Sequence, residues 1–157
     1  MTQYADCTPL LFFDPKNRVI AASHSGWRGT VQEIGRITVE RMVRDFGCDP
    51  ADILAGIGPC IGKCCYEVDE TVYREFGKIG YLHREDFFTP TGNGKYMLDL
   101  GEANRLILLH AGIKSENMDV SDLCTCCENE ELFSHRATGW QRGNLAMVIE
   151  LTEPGDK

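Results

Sequence analysis

Cys7 in "ADCTP" and His24 in "SHSGW" are the first two residues able to share a chemical task. Thiolate and imidazole are both good zinc ligands. The same pair could instead be a cysteine nucleophile with a histidine base, or a buried thiol and a solitary histidine. No C-x-x-C or H-E-x-x-H frame around the pair decides among these. Arg28, in "HSGWRG", adds a planar charged fork suited to phosphate or carboxylate. It stands between two glycines at a turn that opens a helix, where free N–H groups favour an anion. The plain alternative is a helix-entry turn with a surface arginine. Arg136, in "LFSHRATG", could meet a second anionic group or lie in an exposed loop.

The remaining reactive residues are less pointed. "GIGPCIGKCCYEV" resembles a glycine-rich ligand loop but is neither a P-loop nor a dinucleotide fingerprint. Cys60, Cys64 and Cys65 in that loop, and Cys124, Cys126 and Cys127 in "LCTCC", each invite a metal site. Each group lacks a matching second ligand pair at useful spacing, and an iron–sulfur cluster demands four defined thiolates. Both groups therefore read as buried or loop thiols. His110 lies in an amphipathic helix and reads as structural, and Asp99 as a helix cap.

The elements that must hold these residues follow from periodicity. "LLFFD" and "VIAASH" are short apolar runs around the turn-prone "PKN" and predict two strands. "TVQEIGRITVERMVRDFG" has helical spacing, with Val31, Ile34, Ile37 or Thr38, and Met42 inward. Thr30 and Glu33 have capping-box spacing, and Gly47 suits the C-terminal cap. "DILAGIG" predicts a third strand and "DETVYREFG" a short helix with Val72 and Phe76 inward. "REDFFTPTGNGKY" reads as a loop or hairpin. "DLGEANRLILLHAG" predicts a second long helix, with Ala103, Ile107 and His110 on its core side. "NMDVSDLC" and "NLAMVIEL" read as strands. Alternating strands and helices argue for an α/β domain.

The chain of 157 residues suffices for one domain with a real core, and no repeat or linker interrupts it. A net charge of −8 is a poor basis for nucleic-acid binding. No apolar run is long enough to span a membrane, and no signal peptide is visible. Eight cysteines, two pairs of them adjacent, fit a staple framework badly. Most read as reduced thiols, and the cytoplasm is the expected compartment.

Taken together, "ADCTPLLFFD", "HSGWRGT", "GIGPCIGKCCYEV", "LDLGEANR", Cys124-Thr125, "LFSHR" and "RGNLAMVI" resemble the YfiH-like proteins, long labelled multicopper polyphenol oxidase or laccase-domain proteins. The resemblance implies a layered α/β fold, with a mixed sheet and flanking helices, over residues 1–151 and a frayed tail over 152–157. It also implies that the chain is truncated at its N-terminus. The function implied is a zinc-dependent purine nucleoside phosphorylase acting on adenosine, inosine, guanosine and methylthioadenosine, with adenosine deaminase activity. Its partners would be purine nucleosides and phosphate, with no nucleic acid or membrane.

In that family two zinc ligands correspond to Cys7 and His24, and a third histidine comes from an upstream "VHG"-like segment without counterpart here. The resemblance assigns catalysis to Cys7, His24, Arg28 and Arg136, and substrate contacts to Arg28, Gly58, Cys65 and Arg136. His135 and Ala137 depart from the family's usual tyrosine and second arginine. Four histidines are too few for the trinuclear copper cluster of a laccase. Two other readings stay open: a thiol hydrolase or deamidase using Cys7 and His24, and a catalytically weak or inactive partial domain completed by a partner chain; a homo-oligomer is a further expected partner state.

Overall fold

The computed structural model describes residues 1–152. After β1 (Thr2–Tyr4), the two predicted strands, β2 (Thr8–Asp14) and β3 (Val19–Ser25), pair as a hairpin. Leu10 and Phe12 are fully buried while Leu11 and Phe13 are half-buried, the two-residue period of a strand. Asp14 closes the turn. Its carboxylate accepts the Lys16 N–H at 2.8 Å, the Asn17 N–H at 3.0 Å and the Asn17 side-chain amide at 2.8 Å.

Beyond the hairpin the single helix predicted from "TVQEIG" onward is broken. The chain makes α1 (Trp27–Val31), pauses at Glu33 with a left-handed φ of 55°, and restarts as α2 (Ile34–Phe46). The Thr30–Glu33 capping box does not form. Thr30 is buried and donates its hydroxyl to the Gly26 carbonyl at 3.1 Å. Glu33 turns to Arg36 and Tyr81. Partners supplied by the folded chain replace the local cap. Met42 faces the core as predicted, but Val39 joins it while Ile37 is exposed. Gly47 ends α2 at φ 69°, donating to Val43 O, and Cys48 donates to Met42 O. That is the paired closure expected of a glycine cap.

Strand β4 (Leu54–Ile57) leads to the glycine-rich loop, then to β5 (Glu67–Asp69) and α3 (Glu70–Phe76). Asp69 caps α3 by accepting the Val72 N–H, and Val72 and Phe76 point inward as predicted. A hairpin of β6 (Phe88–Gly92) and β7 (Lys95–Leu98) turns at Asn93 and Gly94, both left-handed. Asp99 caps α4 (Leu100–His110) through the Glu102 N–H at 2.9 Å. Ala103 and Ile107 are buried. His110 instead stacks in the open on Tyr81, with ring centroids 3.5 Å apart.

The chain finishes with β8 (Met118–Val120), α5 (His135–Thr138) and β9 (Leu145–Met147). The main sheet has the order β3-β2-β4-β8. Its first three strands are antiparallel, and β8 runs parallel to β4. Helices α2 and α4 cover one face through Val39, Met42 and Leu108 against Leu10, Phe12 and Ile57. A second sheet, β5-β7-β6, closes over Phe76, Phe87, Leu98 and Ile107. A two-stranded pairing of β1 with β9 ties the beginning of the chain to its far end. This is the α/β architecture with a mixed sheet and flanking helices that the sequence predicts. No described helix is long and apolar enough to cross a membrane. Apart from Thr152, the expected frayed tail lies outside the described residues.

Asp14 yields a stability test. Burial opposes its ionisation, but hydrogen bonds from Asn17, Cys48 and Lys16 hold the carboxyl down to about 2, against an ordinary 3.8. A carboxyl depressed by folding stabilises above its unfolded pKa and loses that contribution as pH falls through the folded value. Asp14→Ala should cost about 1–3 kcal/mol at neutral pH, because it orphans turn N–H groups. In urea melts from pH 7 down to pH 2, the gap to wild type should narrow below about 4. A gap independent of pH would show that the carboxylate is not the source.

Candidate active site

The end of β3 is locked by a buried polar network. Ser25 donates to the Asn104 side-chain oxygen at 2.7 Å. Asn104 in turn donates to Thr30 Oγ1 at 3.2 Å and to the Leu100 carbonyl at 2.8 Å. Strand β3, α1 and α4 are thereby fixed around the "HSGWRG" turn, with each group in the network supplied with a partner.

Against this turn lies a cavity of about 410 Å³, within the range of small-molecule sites. Cys7, Gly26, Trp27 and Arg28 form one side, Ile61 and Tyr66 another, and His135, Arg136, Trp140 and Arg142 the third. Trp27, Tyr66 and Trp140 offer aromatic surface to a planar ligand. Three guanidinium groups converge here although the chain is acidic. They are not equivalent. Arg136 spends its fork on the Cys65 carbonyl at 2.9 Å and the Glu67 carbonyl at 3.1 Å. Arg142 donates to Asn144 Oδ1 at 2.6 Å and to the Gly143 carbonyl at 3.1 Å. Arg28 rests over the Trp27 ring, 4.3 Å from its centroid, and among the described residues makes no ion pair.

The hairpin register sets Pro9 opposite His24 and Thr8 opposite Ser25. Cys7 therefore continues opposite Gly26, diagonal to His24. A Cβ placed on Gly26 would lie 2.8 Å from Cys7 Sγ, so glycine is what lets the thiol sit there. His24 is exposed, with Nδ1 3.0 Å from the Gln3 carbonyl. A carbonyl only accepts, so Nδ1 is the donor in this contact, which leaves Nε2 as the nitrogen that a metal would take. Burial raises the Cys7 thiol pKa, the Asp6 carboxylate raises it further, and Arg142 pulls it down.

Cys7, Arg28 and Arg136 thus share one cavity, with His24 on the neighbouring strand. Gly58 does not line that cavity. It packs beneath Met147 and Pro9, where any side chain would collide with Met147. Cys65 lies behind the wall, presenting its carbonyl to Arg136. Asp6 was not legible as a site residue. It lines the cavity at φ 78° and accepts the Thr125 hydroxyl and the Arg136 N–H, both at 2.7 Å.

The loop and turn thiols, expected to be separate, meet. Cys64, Cys65, Cys124 and Cys127 hold their sulfurs within 4.8 Å of one another. Each group supplies the ligand pair that the other lacks. The C-x-x-C spacing of Cys124 and Cys127 is the local signal for this cluster in the sequence. Burial works against ionising Cys124, but N–H groups of Cys127 and Gly62 and the Cys64 thiol bring it down to about 7.

A family model described as multi-copper polyphenol oxidoreductase laccase matches residues 1–152. Purine nucleoside phosphorylase YlmD of Bacillus subtilis is 39% identical over 150 residues, covering 96% of this chain and 54% of its own. Adenosine deaminase RL5, from an unknown prokaryotic organism, is 37% identical over 139 residues, covering 88% and 53%. The crystal structure of the hypothetical protein YfiH from Bacillus licheniformis matches with a TM-score of 0.88 at 40% identity, over 90% of this chain and 53% of that one. The chain spans about half the length of these relatives. The family model spans residues 1–152 and the fold superposes closely on a solved YfiH, so the chain belongs to the multi-copper polyphenol oxidoreductase laccase family that includes the YfiH-like proteins.

Proposed function

We propose that the cavity beside the "HSGWRG" turn is the purine-nucleoside site of a zinc-dependent phosphorylase with adenosine deaminase activity. The observation that carries this is the meeting of aromatic faces, the Arg28 fork, which makes no ion pair among the described residues, and Cys7 in one cavity of nucleoside size. The names of the relatives, phosphorylase and deaminase, support both reactions.

In this reading a purine packs against the aromatic faces of Trp27, Tyr66 and Trp140, and Arg28 holds phosphate beside the ribose. Its cation neutralises charge as the glycosidic bond breaks. Arg136 lines the same cavity and anchors the Tyr66 wall through two carbonyls, with its remaining N–H donors available to a second anionic group. The donor set suits zinc: a thiol on the cavity wall and an imidazole whose Nδ1 is tied to a carbonyl, the usual way a ligating ring is oriented. Cys7 Sγ and His24 Nε2 would hold the ion. Catalytic zinc commonly takes three protein donors, so this pair is a partial set. When bound, zinc supplies Lewis acidity and an acidified water, the chemistry that deamination needs. The raised Cys7 thiol weighs against a free cysteine nucleophile, which must be a thiolate. Four histidines weigh against laccase chemistry.

Arg28→Ala should lower phosphorolysis of inosine by about a hundredfold or more and deamination of adenosine much less. Equal losses in the two assays would mean that Arg28 positions substrate in general and does not hold phosphate.

The metal assignment has its own series. Competition with a chromophoric chelator should show zinc at this pair weakened about tenfold or more in Cys7→Ser and in His24→Ala. Gly26 has φ −72°, which alanine adopts without strain, so Gly26→Ala should stay folded yet weaken zinc by crowding Cys7 Sγ. Zinc affinity unchanged in all three variants would remove the pair from the site.

A further inference from the structure

We propose that Cys64, Cys65, Cys124 and Cys127 form a second metal centre, a tetrathiolate site for one zinc-class ion, which clamps the glycine-rich wall of the cavity to the turn after β8. It is separate from the Cys7–His24 pair and has a different role.

The geometry is that of a single ion. Zinc–sulfur bonds of about 2.3 Å at tetrahedral angles place sulfurs about 3.8 Å apart. Here Cys64 Sγ and Cys65 Sγ lie 3.4 and 3.5 Å from Cys127 Sγ, and all four sulfurs fall within 4.8 Å of one another. These separations bracket the spacing that one tetrahedral ion requires. An iron–sulfur cluster interposes inorganic sulfide and would spread its thiolates farther. Four sulfur donors without nitrogen or oxygen select a soft ion with tetrahedral preference. Leaving no protein vacancy for substrate, such a set makes a structural centre and not a catalytic one.

The surroundings support a thiolate at Cys124, while burial and neighbouring thiols push the Cys64 and Cys65 thiols up, so the cation itself must draw off those protons. The Gly62 N–H donates to Cys124 Sγ at 3.1 Å. A Cβ on Gly62 would stand 3.3 Å from both Cys64 and Cys124 sulfurs, so glycine lets the backbone approach them. Cys64 and Cys65 sit in a turn, where consecutive side chains need not alternate as they do in a strand. Cys124 and Cys127 lie on one turn closed by the Glu128 N–H to the Cys124 carbonyl. Cys124 is buried while Cys64 and Cys127 are exposed, so an ion can load from solvent. Loading releases the remaining thiol protons to water, leaving four thiolates around the cation.

The consequence reaches the cavity. Residues 60–66 connect to the Cys124 turn through a bridge between Cys60 and Cys124, and the Thr125 N–H donates to the Cys60 carbonyl at 3.0 Å. Ile61 and Tyr66 of this loop line the cavity, and the Cys65 carbonyl holds Arg136. The bound ion would fix that wall.

Cobalt(II) titration of the reduced, metal-stripped protein tests this, because sulfur-to-cobalt charge transfer grows with the number of thiolates bound. Wild type should take up one equivalent with a tetrathiolate spectrum, displaced by zinc. Cys7→Ser and Cys126→Ser should keep that spectrum. Cys64→Ser and Cys127→Ser, checked for folding by circular dichroism, should lose it, with affinity down about tenfold or more. Two results overturn the proposal: folded wild type without a tetrathiolate spectrum, or a spectrum that Cys7→Ser removes and Cys127→Ser leaves intact.

Discussion

One buried carboxylate joins the parts of the chain that make the cavity. Asp6 receives the Thr125 hydroxyl on one oxygen and the Arg136 N–H on the other, while its backbone carbonyl receives the Ile61 N–H at 2.9 Å. The N-terminal segment, the glycine-rich loop, the Cys124 turn and α5 therefore meet at one residue. Hydrogen bonds to an ionised acceptor are stronger than neutral ones, and losing the acceptor would orphan inward-facing donors. The left-handed backbone at Asp6 directs the carboxylate inward, and aspartate tolerates that conformation better than most residues.

The opposite wall is rigid for a different reason. Strand β2 pairs with both β3 and β4, and its alternate side chains are packed under α2 and α4. Cys7 leads into this strand, and His24 lies on its neighbour. Their relation is thus set by sheet register, which a one-residue slip would invert. The network of Ser25, Thr30 and Asn104 then fixes where the chain leaves the sheet, and with it the direction of Trp27 and Arg28. One wall is held by backbone pairing and packing. The other, built from loops, is held by buried polar contacts.

Charge is partitioned along the same lines. Three arginines meet at a cavity in an acidic chain, yet two already satisfy carbonyl and amide oxygens. Such arginines are fixed in place and shape the wall. Arg28 is supported on an indole face and, among the described residues, makes no ion pair, so its fork is the one least engaged by the protein.

Local pattern in the sequence was enough for strands β2 and β3, the Asp99 cap, the buried Val72, Phe76, Ala103 and Ile107, and the closure at Gly47. Each depends on neighbours within a turn or two. The motif set was enough for the family, and two of the residues singled out, Cys7 and Arg28, line one cavity. Tertiary structure decided the rest. It broke the predicted helix at Glu33, because Thr30 and Glu33 find better partners in Asn104 and Tyr81 than in each other. It turned Arg136 toward two carbonyls and placed Gly58 beneath Met147. It also brought Cys64 and Cys65 against Cys124 and Cys127, from segments that each looked incomplete alone. Periodicity reports which face of an element is buried. It carries no information on which polar groups from distant segments will be left facing one another once that burial is complete.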